Sequence, residues 1–207
     1  MKKIKKKKKN WTMITVIFLV VLVIICTYFF SKSNNKMTKK TEIGNNSSSQ
    51  EIVEYILNIK SYELKIEVEI QSNKNKNRYI IKQKNNNEEE VQEVIEPSNI
   101  AGVKLIKKGN TLKLENTKLN LTSIFENYEY LADNNLDLSS FIKDYLKNEK
   151  SCWEEKDGMI EMNTENNKMK KTLYINKEEA KLEKMEIKDN NKKNIIYIRY
   201  SEITVNT

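Results

Sequence analysis

The side chains that most often carry catalysis are nearly absent from this sequence. There is no histidine among its 207 residues, which removes the commonest general base and the usual zinc ligand. Cys152 is the one cysteine downstream of the first forty residues, so it has no disulfide partner within a folded domain there. It could be a reactive thiol or join two chains. As a half-buried strand residue beside Trp153 it needs no such role.

Carboxylates cluster at Glu88-Glu-Glu90 and at Glu154-Glu155. Two carboxylates facing each other across a cleft can hydrolyse a glycosidic bond, but runs of like charge next to lysines are ordinarily solvated edges. No glycine-rich phosphate loop and no Cys-x-x-Cys occurs. These residues point to a non-enzymatic protein with no cofactor and no metal. Phe125, Tyr128 and Tyr130, in Ile124-Phe-Glu-Asn-Tyr-Glu-Tyr-Leu131, form an aromatic element that could line a cavity or meet a partner, or bury itself in a core.

The elements that must position these groups begin with the first thirty residues. Seven lysines fall within Met1 to Lys9, and no charged side chain occurs from Trp11 to Ser31. The apolar run 11–30 would span roughly 30 Å as a helix, the thickness of a bilayer core. Trp11 at one end and Tyr28, Phe29 and Phe30 at the other suit the two interfaces.

The lysine block predicts a single-pass anchor in the cytoplasmic membrane, N-terminus inside and the rest extracytoplasmic. A cleaved signal peptide would have a shorter apolar region and an A-x-A-like site. Cys26 is the candidate for lipidation, although bulky Ile25 stands where a small residue normally precedes a lipidated cysteine. As a membrane-buried apolar side chain, Cys26 needs no modification.

The net charge of +8 invites a nucleic-acid reading, but eleven of the 37 basic residues lie in 1–40 with no acid among them. The remaining 26 face all 29 acids, so residues 41–207 carry −3. A phosphate backbone needs a basic face, and nucleic acid is excluded as a partner. Lys, Asn, Ile and Glu dominate over four glycines and one proline, the codon bias of an AT-rich, low-GC bacterium.

Residues 31–49 are polar and read as a flexible linker between the 1–10 flank with its 11–30 anchor and a domain at 50–207. Ser49 is placed to cap a helix over Gln50 to Lys60, with Ile52, Ile56 and Ile59 on one stripe. Leu64, Ile66, Val68 and Ile70 alternate with Lys65, Glu67 and Glu69, the pattern of a strand wet on one face. Strands follow at Arg78–Lys84, at Val91–Ile95 up to Pro97, and at Val103–Ile106 and Leu112–Glu115. Gly109 is free to take positive φ in the hairpin between the last two.

Helical spacing predicts helices at Leu121–Leu131 and Leu138–Leu146, the second with Leu138, Phe141, Ile142, Tyr145 and Leu146 on its stripe. Strands at Met159–Met162, Leu173–Ile175, Lys181–Ile187 and Ile195–Tyr200 close the chain. The expected class is α+β: one curved antiparallel half-barrel sheet of about eight strands, covered by helices. Its concavity would be lined by Leu64, Ile66, Val68 and Ile70.

The segment Glu96-Pro-Ser-Asn-Ile-Ala-Gly102, Gly109-Asn-Thr-Leu-Lys-Leu, Leu119-Asn-Leu, Glu126-Asn-Tyr-Glu-Tyr and Asp137-Leu-Ser-Ser-Phe-Ile-Lys-Asp-Tyr145 resembles the GerS-type germination lipoproteins of spore-forming clostridia. More loosely, it resembles the LolA-like lipoprotein-carrier fold. The resemblance implies an unclosed barrel acting outside the cytoplasmic membrane in sporulation, as a binding partner of a cell-wall amidase. The LolA-like side of it implies carriage of a lipid acyl chain. A homodimer through exchanged strands is compatible with both.

Overall fold

The computed structural model describes residues 47–72, 75–128, 135–166, 168–190 and 194–206. The 11–30 run, Cys26, most of the linker and Tyr130 lie outside the described residues. Among the described residues no helix is long and apolar enough to cross a membrane.

The first described element is helix α1, Ser49–Leu57. Its cap is Ser48, one residue earlier than the spacing suggests. The Ser48 hydroxyl accepts from the Glu51 N–H at 3.3 Å, while the Glu51 carboxylate accepts from the Ser48 N–H at 2.8 Å. This reciprocal box satisfies two backbone donors that the first turn leaves open. It also sets Ile52, Val53 and Ile56 facing the core.

Six strands follow as a meander: β1 Ser61–Gln71, β2 Lys76–Asn85, β3 Glu90–Glu96, β4 Val103–Lys108, β5 Thr111–Asn116 and β6 Leu121–Glu126. Helix α2, Leu138–Lys147, intervenes. A second meander then runs through β7 Cys152–Lys156, β8 Met159–Glu165, β9 Met169–Asn176, β10 Lys181–Asp189 and β11 Ile195–Asn206.

The two meanders join where β1 pairs antiparallel with β11, giving one open sheet in the order β6-β5-β4-β3-β2-β1-β11-β10-β9-β8-β7. Among the described residues it has eleven strands, more than the eight expected. At the central seam Ser201 is the extra residue of a bulge, and its hydroxyl donates to the Lys65 carbonyl at 2.8 Å.

Helical spacing misassigned residues 121–126, the rest of the expected helix beyond Tyr128 lying outside the described residues. Leu121, Ile124, Phe125 and Tyr128 recur at the helical interval, yet Leu121–Glu126 is a strand paired residue for residue with β5. Asn120 and Asn127, at φ 56° and 52°, bound it in the left-handed conformation that asparagine tolerates best among side-chain-bearing residues. The hairpin before it follows the sequence reading, with Gly109 at φ 55° between Lys108 and Thr111.

Gly102 has φ +87°, and a Cβ there would meet the Thr117 hydroxyl oxygen at 2.8 Å. Its N–H donates to the Val94 carbonyl at 2.8 Å and its carbonyl accepts from the Thr117 N–H at 3.3 Å. Glycine thus lets the loop after β3 lie between the β3 and β5 ends.

The core lies between the helices and one face of β1, β2 and β8–β11. Ile52, Val53 and Ile56 of α1 and Leu138, Phe141 and Ile142 of α2 join Ile66, Val68, Met162, Leu173, Met185 and Ile198 in one buried cluster. Leu146, expected on the same stripe, is 65% exposed.

The other face of the sheet is held by charge pairs between adjacent strands. Glu67 takes Arg78 and Arg199 at 2.9 and 3.2 Å, and Glu202 takes Lys65 at 2.9 Å. Exposed pairs of this kind contribute about 0–1 kcal/mol each, so they keep that face soluble more than they stabilise it.

Candidate functional site

Of the residues expected to line a concavity, Ile66 and Val68 are packed into the core, and Leu64, also buried, borders a cleft of about 400 Å³ with Lys82, Gln83 and Val91. Leu64, Ile66 and Val68 are buried and Ile70 is partly buried against the same cluster. Both helices lie over them. Period-two alternation identified the inward face correctly, but the space it faces is occupied by core.

A smaller opening remains on the helix side between the end of α1 and the ends of β10 and β11. It is a cleft of about 320 Å³ whose walls include Tyr55, Ile59, Ala180, Leu182, Ile203 and Val205. The expected β1 residues are not among its walls.

The other half of the sheet, β3 to β6, projects beyond the helices. Register places Leu105 opposite Leu114, and Leu112 opposite Phe125, on the helix-side face of this wing. Leu112 is buried, whereas Leu114 and Phe125 are exposed. Ile124, on the opposite face, is 63% exposed; Leu121, on the face of Phe125, and Leu119 in the β5–β6 turn are similarly open.

All six residues of β6 are exposed, and β6 ends the sheet. Such a strand presents a row of backbone N–H and C=O groups to any extended chain that can pair with it. Of the expected aromatic element, Phe125 lies on this edge. Tyr128 borders a polar recess of about 250 Å³ with Asn85, Glu88, Glu90 and Lys107. Tyr130 lies outside the described residues.

A buried polar joint ties the wing to α2. Asp137 occupies the N-cap position of α2 but makes no capping bond. Its carboxylate instead accepts from Lys107 Nζ at 2.8 Å and from the Gln92 side-chain amide. Glu90 accepts from Ser139 Oγ and lies 3.5 Å from Lys107 Nζ. The Ser139 N–H donates to the Tyr62 hydroxyl at 3.3 Å, and Gln83 Nε2 donates to the Leu136 carbonyl at 3.2 Å.

Burial pushes the Asp137 carboxyl above its ordinary value despite the pull of Lys107. Burial works against the Lys107 ammonium, but Asp137 and Glu90 outweigh it and raise its pKa. Burial, with Asp137 adding to it, also pushes the Tyr62 hydroxyl far up. The joint therefore sets the Lys107 ammonium between the Asp137 and Glu90 carboxyls, beside the Tyr62 and Ser139 hydroxyls, an arrangement suited to fixing α2 against β3 and β4.

The acidic runs divide between surface and structure. Glu88 and Glu154 are exposed as expected and Glu89 is half-buried, while Glu90 belongs to the joint. Glu155 accepts from Ser49 Oγ at 2.5 Å and from Lys177 Nζ at 2.7 Å. Cys152 is exposed on β7 and not half-buried, because β7 is the other sheet edge. Among the described residues no group of three or more His, Cys, Asp or Glu side chains is arranged to hold a metal ion.

No protein-family model matches the sequence, and no curated protein matches it. Similar solved structures include the LolA superfamily protein NE2245 from Nitrosomonas europaea, at 14% identity and TM-score 0.41. That match covers 78% of this chain and 94% of that one. A complex of the CwlD amidase with the GerS lipoprotein from Clostridioides difficile is similar at 25% identity and TM-score 0.43, over 77% of this chain and 94% of that one. An uncharacterized conserved protein from Thermus thermophilus is similar at 10% identity and TM-score 0.47, over 78% of this chain and 89% of that one.

Proposed function

We propose that this chain is a non-enzymatic, GerS-related binding protein with a LolA-like domain, held outside the cytoplasmic membrane by the 11–30 segment. Its β6 edge takes an extended segment of a cell-wall amidase acting on spore cortex. The observation that carries the binding role is the wholly exposed β6, with Leu121, Ile124 and Phe125 along it. Strand addition to such an edge supplies affinity through main-chain hydrogen bonds, and alternate side chains supply specificity. The identity of the partner rests on the sequence motifs between Glu96 and Tyr145, and the anchor on the apolar run with its lysine flank.

A second reading is favoured by the apolar cleft near Ile59 and Ile203. At about 320 Å³ it falls at the small end of ligand sites, and an acyl chain of a lipid or lipoprotein is the ligand that such walls suit.

Tagged full-length chain, extracted in detergent from sporulating cells, tests both. Stoichiometric recovery of an amidase by the wild type, and its loss from an Ile124→Lys/Phe125→Lys variant, is the expected result. Acyl lipid recovered with no amidase overturns it in favour of the second reading.

A further inference from the structure

We propose that the α2–β7 corner of the domain is a contact surface for an anionic lipid bilayer, holding the wing outward; this rests on the anchored reading above. Leu146 is 65% exposed and Trp153 38% exposed. They flank one short turn, in which the Ser151 N–H donates to the Asn148 carbonyl at 3.0 Å. The turn is pinned to β8: Ser151 Oγ donates to Thr164 Oγ1 at 2.9 Å, and Asn148 Nδ2 donates to the Glu165 carbonyl at 2.5 Å. The two large apolar side chains are therefore presented by a braced segment.

Lysines accompany them. Lys143, Lys147 and Lys150 are all exposed, against one exposed acid in the same stretch, Glu149. Trp153 pairs across to buried Met162 and so lies on the helix side of β7, while its neighbour Glu154 turns to the other face. Glu155, back on the helix side, is occupied by Ser49 and Lys177. A tryptophan and a leucine among lysines, with the nearest helix-side carboxylate already paired, match an interface of apolar chains and anionic headgroups.

The chain itself selects this occupant. The Ser49 to Glu155 hydrogen bond fixes the start of the domain two residues along β7 from Trp153, on the same face. Residues 31–48 separate the apolar run from that point, a reach of at most roughly 60 Å. A tether of that length keeps this corner at high effective concentration near the bilayer. Because β6 and β7 terminate opposite ends of the sheet, about 48 Å apart along it at ordinary strand spacing, lipid contact at β7 leaves the β6 edge facing away from the membrane.

The sequence has two tryptophans, so full-length Trp11→Phe makes Trp153 the sole indole reporter. The protein would be reconstituted in vesicles of phosphatidylcholine with phosphatidylglycerol, or of phosphatidylcholine alone, each carrying brominated acyl chains. Blue-shifted, quenched Trp153 emission in the anionic vesicles, relieved by high salt, is expected. A Lys143→Glu/Lys147→Glu/Lys150→Glu variant with unchanged circular dichroism should lower the contacting fraction roughly tenfold or more. Unquenched Trp153 in protein that floats with the anionic vesicles overturns the contact surface and leaves the anchor standing. Protein that fails to float overturns the anchor, and this proposal with it.

Discussion

The two ends of the sheet have the same exposure and opposite chemistry. Strands β6 and β7 are each exposed at every residue. Strand β7 carries Glu154, Glu155 and Lys156, and Glu155 is tied to the start of α1 and to the β9–β10 turn. Charges on an edge, and a neighbouring element bound to it, are common ways to keep a foreign strand from pairing. Strand β6 has a single charge, Glu126, beside Leu121, Ile124 and Phe125. Behind β7 lie helices and a closed apolar core, whereas behind β6 lies a wing joined to α2 through the buried Lys107–Asp137 contact. One edge is blocked by charge and by a neighbouring element, and the other is not.

That contrast predicts that stability is concentrated toward β7. Phe141 is fully buried and lies in the core cluster. Phe141→Ala should cost about 3–5 kcal/mol, while Phe125→Ala on β6 should stay within about 0.5 kcal/mol. Urea unfolding of both variants measures the difference, and similar losses would mean that the wing is packed as tightly as the core.

The next effect concerns a buried charge under α2. Lys171 is 1% exposed; its ammonium donates to Asp144 at 2.6 Å and to Ser140 Oγ at 3.2 Å. Asp144→Ala leaves that ammonium with one hydroxyl, at a cost of about 3 kcal/mol. Lys171→Met leaves a carboxylate that is a third exposed and can hydrate, so its cost should be smaller, about 1 kcal/mol. Equal costs by urea titration would refute this asymmetry. Weaker again is Ser48→Ala, which breaks the capping box and should cost about 1 kcal/mol, recoverable in large part by Ser48→Asp.

What the sequence made legible follows from these differences in packing. The β1 alternation and the α2 stripe were readable because each has one covered face, and Gly109 marked its hairpin. Strand β6 was not, because it is exposed on both faces. With no dry side to select alternate positions, its apolar residues fell by chance at the helical interval. Strand β7, Cys-Trp-Glu-Glu-Lys, lacks alternation for the same reason.

Leu64, Ile66 and Val68 show a different limit. Periodicity fixes which way a side chain faces, but whether a ligand or a helix fills the space there depends on elements far along the chain. The polar joint was hidden likewise: Gln92, Lys107 and Asp137 are brought together only by the crossing of α2 over β3 and β4, and no local pattern announces it. Leu146 satisfied the helical spacing yet sits past the border of the buried stripe, where spacing alone overextends the core.

The smallest predicted effect separates the two halves by the sign of a pH response. On β10, burial alone would raise the Glu186 carboxyl, but hydrogen bonds from Lys188 and Lys184 outweigh it and hold its pKa below 4.5. Its contribution is then present above pH 4.5 and is lost as pH falls through the depressed folded value. At the joint under the wing, burial raises Asp137 above its ordinary 3.8 even with Lys107 beside it. The folded chain takes up that proton at higher pH than the unfolded chain, so its contribution is present below pH 3.8 and is lost as pH rises through the raised value. Glu186→Gln should therefore make the acid limb of the stability curve shallower, and Asp137→Asn should make it steeper. Each change is limited to about 1.4 kcal/mol per pH unit, since one proton is involved. Urea midpoints of the two variants between about pH 3 and pH 6, the window bracketing both carboxyls, read the signs directly. The same sign for both would mean that Lys107 and Gln92 outweigh burial at Asp137 as the two lysines do at Glu186, and that desolvation does not govern the joint.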